Sequence, residues 1–61
     1  MNMKKNIILE LRGLAELGEC SKKLVKAVEA GEFDADIDEM VCMSVTEGAD
    51  EIMSLARIRG I

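Results

Sequence analysis

Apolar residues recur every three or four positions through the first thirty residues of the chain. They fall at Met3, Ile7, Leu11, Leu14, Leu17, Leu24, Val25 and Val28. This spacing places them on one face of an α-helix and leaves most charged side chains opposite. The pattern predicts one amphipathic helix over about residues 3–30. A break near Gly18 stays open, because residues 16–21 can hold a helix end followed by a new N-cap at Ser21.

A second helical pattern covers about residues 37–59. Its apolar positions are Ile37, Val41, Val45, Ile52, Leu55 and Ala56. Gly31 is suited to end the first helix and Gly60 to end the second, since glycine adopts the left-handed conformation found there. Asp36, with Glu39 three residues later, predicts a capping box at the start of the second helix.

Two helices joined by a short turn predict an all-α fold, an antiparallel two-helix hairpin that forms a single domain over residues 1–61. If the chain folds back at Phe33, Gly18 faces Gly48 in the middle of both helices, where small residues permit close approach of the backbones. The residues expected to pack between the helices are Leu11, Leu14, Gly18, Val25, Val41, Val45, Gly48 and Ile52.

Further apolar residues remain on the flanks of this hairpin, and two helices have no third layer to cover them. Large uncovered apolar patches usually mark interfaces. A second copy of the chain would complete a four-helix bundle with two-fold symmetry. The predicted dimer interface consists of Leu17, Cys20, Leu24, Ile37, Met40, Leu55 and Ile58.

Composition excludes several classes of function. The 61 residues include no histidine, and Phe33 is the only aromatic residue. A chain without histidine lacks the most common general base and metal ligand, so we expect no enzyme and no catalytic residue. A platform that stacks nucleic-acid bases needs several aromatic side chains. The scarcity of aromatic residues and the absence of proline also disfavour a β-sandwich or barrel.

No motif predicts a metal or a cofactor. Asp34, Asp36 and Asp38 resemble the opening of a calcium loop, but the sixth and twelfth positions hold Glu39 and Val45 instead of glycine and glutamate. The two cysteines, Cys20 and Cys42, do not have zinc-site spacing, and their positions predict opposite flanks of the hairpin. We interpret them as small apolar residues.

Charge is distributed unevenly in this chain, whose net charge is −4. Residues 1–30 have six basic and four acidic side chains, whereas residues 31–61 have two basic and eight acidic ones. The acidic half is suited to attract a basic partner. The predicted partner-binding residues are Asp34, Asp36, Asp38 and Glu39. A stripe formed by Lys22, Lys23 and Lys26 predicts an alternative, which is RNA binding.

These observations favour a small, non-enzymatic regulatory or adaptor protein that acts through protein–protein interaction as a homodimer. Tiny acidic proteins are typical of phage and plasmid genomes, so an inhibitor of a host factor is one expected form. The alternatives are an RNA-binding hairpin dimer and a structural subunit of a larger assembly. The apolar run at residues 7–9 is too short for a signal peptide or a membrane span, which favours a cytoplasmic location without membrane attachment.

Overall fold

Four α-helices make up the structure, a computed structural model that describes residues 2–61. They are α1 (Met3–Glu16), α2 (Lys22–Glu29), α3 (Asp34–Asp38) and α4 (Val45–Arg59). No β-strand occurs in the described part of the chain. The all-α prediction is therefore confirmed, whereas both long helices of the prediction are interrupted.

The first predicted helix is broken at Gly18, as the alternative allowed. Gly18 has a φ of 78°, which a residue with a Cβ atom rarely adopts. The N–H of Glu19 donates to the carbonyl of Leu14 (2.8 Å) and that of Gly18 to Ala15 (3.1 Å), the bonds of a Schellman motif. The hydroxyl of Ser21 then caps α2 by accepting from the Leu24 N–H. A continuous helix over residues 3–30 is therefore wrong.

The second predicted helix is also divided. α3 ends at Asp38, and α4 begins only at Val45 after a non-helical segment over residues 39–44. The capping box lies at Ser44 and Glu47, where each side chain accepts from the other residue's backbone N–H. The box predicted at Asp36 and Glu39 is therefore wrong. The run from Val41 to Thr46 is rich in β-branched, cysteine and serine residues, which are weak helix formers.

The chain reverses direction after α1, at residues 17–21. Two ion pairs join α1 to later residues in reversed order: Arg12 lies 2.6 Å from Glu29, and Lys4 lies 3.0 Å from Asp34. α2 therefore runs back along α1. The helix that packs antiparallel to α1 is therefore α2, which the sequence pattern had placed in the same continuous helix as α1.

α1 and α4 approach each other closely at Gly48. A Cβ atom built on this buried glycine would lie 3.0 Å from the end atoms of both Met3 and Ile7. Glycine at position 48 thus permits the close approach of two helices, as expected, but the helix that it faces is the first part of α1. The predicted pairing of Gly48 with Gly18 is wrong, because Gly18 lies in the exposed turn between α1 and α2.

All four helices contribute to one hydrophobic core. The buried apolar residues are Ile7, Leu11, Leu24, Val25, Ala27, Val28, Phe33, Ile37, Met40, Ala49, Ile52 and Ala56. Phe33, just before α3, is the largest fully buried side chain. Because the two breaks let short helices fold over one another, the chain covers much of its apolar surface by itself.

Candidate protein-interaction surface

Most residues of the predicted dimer interface are buried or half-buried within the single chain. Leu24, Ile37 and Met40 are buried within the chain, and Cys20 and Leu55 are half-buried. Buried side chains have no surface to offer a second copy, so these three assignments are corrected. Leu17 and Ile58 differ, since their side chains are 75% and 82% exposed.

The residues expected to pack between the two predicted helices also divide into those that are buried or half-buried and those that are exposed. Leu11, Val25, Gly48 and Ile52 are buried, and Leu14 and Val45 are half-buried against the core. Gly18 and Val41 were assigned there wrongly. Both lie in segments that connect helices, and the side chain of Val41 is 84% exposed.

Two of the four predicted partner-binding carboxylates are neutralised within the chain. Asp34 pairs with Lys4, and Asp36 receives two hydrogen bonds from the guanidinium of Arg59, at 3.0 and 3.2 Å. Arg59 also lies over the ring of Phe33, 4.9 Å from its centroid. Asp38 and Glu39, by contrast, are exposed and have no ion-pair partner among residues 2–61.

A cleft opens between α3, the segment after it and α4. Its walls are formed by Met40, Met43 and Leu55, and its rim has carboxylates from Asp36, Glu39 and Glu51. The volume is about 200 Å³. Glu51, like Glu39, is exposed and forms no ion pair within the described residues. We call this feature the acidic cleft.

Exposed apolar side chains occur at the acidic cleft and close in sequence to its lining residues. Val41 and Met43 are in the segment before α4, and Ile58 lies one helical turn beyond Leu55 on the same side of α4. Among residues 2–61, three of the five large hydrophobic residues that are exposed are thus in the acidic half of the chain. Apolar groups rimmed by charge are typical of interaction sites.

Sequence reasoning missed Glu51 and Met43. Met43 falls in a stretch that the periodicity assigned to a helix, so nothing in the sequence indicated that Met43 is exposed in a connecting segment. Glu51 had one, because it precedes Leu55 by four residues and therefore shares a helix face with it. The missing information was that this face borders α3.

The lysine stripe is exposed along α2. Lys22, Lys23 and Lys26 all point to solvent, and none forms an ion pair within residues 2–61. Of the cations on α1, Lys4 and Arg12 each hold a carboxylate, whereas Lys5 is exposed and forms no ion pair within residues 2–61. The stripe is therefore the main uncompensated positive feature of the part of the chain that is described.

The two cysteines are free and differ in environment. The thiol of Cys20 donates to the carbonyl of Leu11 at 3.3 Å, whereas Cys42 is exposed in the segment before α4. Burial raises the pKa of the Cys20 thiol above its ordinary value, and the negative charge of Glu19 adds to that shift. A higher pKa leaves less of the reactive thiolate at neutral pH.

We expect the two thiols to react with a chromogenic disulfide reagent in separate phases at pH 7.5. Cys42 should react fast, and Cys20 roughly tenfold more slowly, because it is shielded and less ionised. Cys42→Ser should remove the fast phase and Cys20→Ser should keep it. The rate of the slow phase should still climb as pH rises past 9, because the Cys20 thiol ionises late. Equal rates for both thiols would contradict the assignment.

No family model, curated protein or solved structure matches this chain. Among residues 2–61, no helix has the length and apolar character needed to cross a bilayer. The same residues contain no group of three or more cysteine and carboxylate side chains placed to hold a metal ion. Inference about function therefore depends on the surface just described.

Proposed function

We propose that this chain is a small, non-enzymatic regulatory or adaptor protein that binds another protein through the acidic cleft and its exposed apolar neighbours. The observation that carries the proposal is the coincidence of exposed apolar side chains with carboxylates that lack ion-pair partners among residues 2–61. Exposed carboxylates favour encounter with a basic surface, and desolvated apolar contacts supply affinity. A regulator of this type acts by covering a basic surface of its partner.

Capture with matched charge variants tests this proposal. Glu39→Lys with Glu51→Lys reverses the rim of the cleft, while Glu16→Lys with Glu19→Lys makes the same change in net charge at exposed positions on and just after α1. Each immobilised protein is exposed to nuclease-treated lysate of the cells that encode it. We expect wild type and the Glu16/Glu19 variant to retain a set of proteins that the Glu39/Glu51 variant loses. Identical captures by all three would contradict the proposal.

A homodimer is also part of the proposal, with a smaller contact than the sequence pattern implies. Its support is limited to Leu17 and Ile58, the two predicted interface residues with exposed side chains. Sedimentation equilibrium of wild type and a Leu17→Ser, Ile58→Ser double variant measures the association. We expect the double variant to dissociate at concentrations where wild type is a dimer. A wild-type chain that stays monomeric at millimolar concentration would contradict dimerisation.

RNA binding is the second candidate function, and it is favoured by Lys22, Lys23 and Lys26, which are exposed and form no ion pair in the described part of the chain. Clustered cations on one helix can bind phosphates even when the net charge is negative. Reversing all three lysines to glutamate should then abolish co-purification of RNA and leave capture of proteins through the acidic cleft unchanged. Absence of nucleic acid from the wild-type protein at low salt would exclude this candidate.

A further inference from the structure

The dimensions of the acidic cleft limit the size of what it can hold. Sites for small molecules usually have volumes of about 300–1,000 Å³. The cleft, at about 200 Å³, is smaller, and it matches a single large side chain better than a metabolite. Two of its three apolar lining residues are methionines, the buried Met40 and the exposed Met43. Methionine is flexible and polarizable, so such walls adapt to the shape of an inserted aliphatic or aromatic group.

The rim of the cleft favours positive charge beside that side chain. Asp36 is already engaged by Arg59, so Glu39 and Glu51 are the rim carboxylates available to a partner. Asp38, Glu47 and Asp50 add exposed carboxylates close by in sequence, and no basic residue occurs between Lys26 and Arg57. Lysine or arginine residues on either side of the inserted group would therefore find complementary charge.

The apolar residues next to the cleft indicate a helical partner segment. Leu55 lines the cleft, and Ile58 is exposed three residues further along α4, which corresponds to a rise of about 4.5 Å. Neighbouring anchors of an amphipathic helix, three or four residues apart, are separated by about 5–6 Å. A partner helix that places one anchoring side chain in the cleft and the next against Ile58 would match this spacing. No strand edge is offered by residues 2–61, so strand addition has no template.

Resting on the proposed function, we propose that the acidic cleft binds a cationic amphipathic helix of a partner protein, with one large apolar side chain packed against Met43 and Leu55. Lysine or arginine residues of that helix lie against Glu39 and Glu51. A second anchor of the helix contacts Ile58. The partner segment is thus defined by its chemistry: apolar residues at helical spacing, flanked by positive charge.

Titration with designed peptides tests this assignment. The probe is a fluorescein-labelled helix of about 16 residues with leucines on one face and lysines on the others. One control peptide keeps every lysine but has alanine for each leucine, and another has the same composition with the leucines scattered. We expect the probe to bind at least about tenfold more tightly than either control, because insertion needs both the charge and the apolar face.

Protein variants locate the binding. Glu39→Gln with Glu51→Gln should weaken binding of the probe about tenfold, and Met43→Ser should weaken it about fivefold. Glu16→Gln with Glu19→Gln should leave the affinity for the probe within twofold of wild type. All of these positions are exposed, and circular dichroism confirms that each variant keeps its helices. Methionine labelled with ¹³C at the methyl group gives a second readout. Signals of Met40 and Met43 should shift on binding, while that of Met3, at the α1–α4 contact, should not.

Other outcomes overturn the proposal in distinct ways. Equal affinity for the alanine control would mean attraction by charge alone. Absence of probe binding, with lysate capture still dependent on Glu39 and Glu51, would exclude the helical occupant and leave the proposed function intact. Loss of that dependence in the lysate would remove the proposed function itself. A wild-type dimer that Glu39→Lys with Glu51→Lys converts to monomer would identify the occupant as a second copy of the chain.

Discussion

Phe33→Ala is expected to remove a large fraction of the protein's free energy of unfolding at 25 °C. Phe33 is fully buried, and truncation of a buried phenylalanine to alanine costs about 3–5 kcal/mol. A 61-residue chain at 0.05–0.15 kcal/mol per residue has a free energy of unfolding of only roughly 3–9 kcal/mol. The lost contact with the Arg59 guanidinium, 4.9 Å from the ring centroid, adds to the effect. Urea unfolding followed by circular dichroism at 222 nm measures the loss.

Phe33→Leu is the matched control, because it keeps an apolar group in the cavity and should retain most of the stability. Arg59→Gln separates the ring's burial from its cation contact. That variant should cost about 1 kcal/mol or less, since the Arg59 side chain is partly exposed. A Phe33→Ala protein that unfolds at the same urea concentration as wild type would contradict the central position of this ring in the core.

Gly48→Leu is expected to lower the free energy of unfolding by about 1–3 kcal/mol, the usual cost of overpacking. The new side chain would enter space where even a Cβ atom lies 3.0 Å from Met3 and Ile7, so α1 and α4 must separate. Gly48→Ala should be close to neutral. The two atoms it meets are the ends of flexible side chains, and alanine gains about 1 kcal/mol of helix propensity.

Gly13→Leu tests the same chemical change without the close contact. Gly13 is exposed within α1, and a Cβ atom there would meet nothing within 4 Å apart from its chain neighbours and the nearby backbone of its own helix. This variant should gain up to about 1 kcal/mol, because leucine is a better helix former than glycine. Opposite signs at positions 13 and 48, measured by urea unfolding, are the expected result. Stabilisation at both positions would mean that α1 and α4 do not pack at Gly48.

The fold class could be predicted from the sequence because the 3.6-residue period of apolar positions is a local property. The helix boundaries were harder, since one residue can decide them. Leu14, Leu17 and Leu24 fit one uninterrupted stripe, yet Leu17 is the C-cap of α1 and exposed. Both Gly18 and the serine cap at Ser21 were visible in the sequence. Whether they end a helix depends on whether the shorter helices bury more surface by folding back.

The candidate site was predicted only in part. Asp38 and Glu39 belong to an acidic surface, as the charge pattern suggested, but Asp34 and Asp36 are engaged by Lys4 and Arg59. Those cations are 30 and 23 residues away along the chain. Composition reports how many charges exist, whereas their pairing depends on the packing of α3 against α1 and α4.

The helix ends have a consequence for folding kinetics. The turns after α1, α2 and α4 are closed by hydrogen bonds between residues no more than five apart in sequence. Such local contacts form within about a microsecond, but isolated helices this short are marginal in water, so the helix ends become fixed only as the helices dock. Refolding is then limited by the docking of the short helices, and helical bundles fold in microseconds to milliseconds. The positions of these turns therefore influence how fast the chain folds, as well as which shape it reaches.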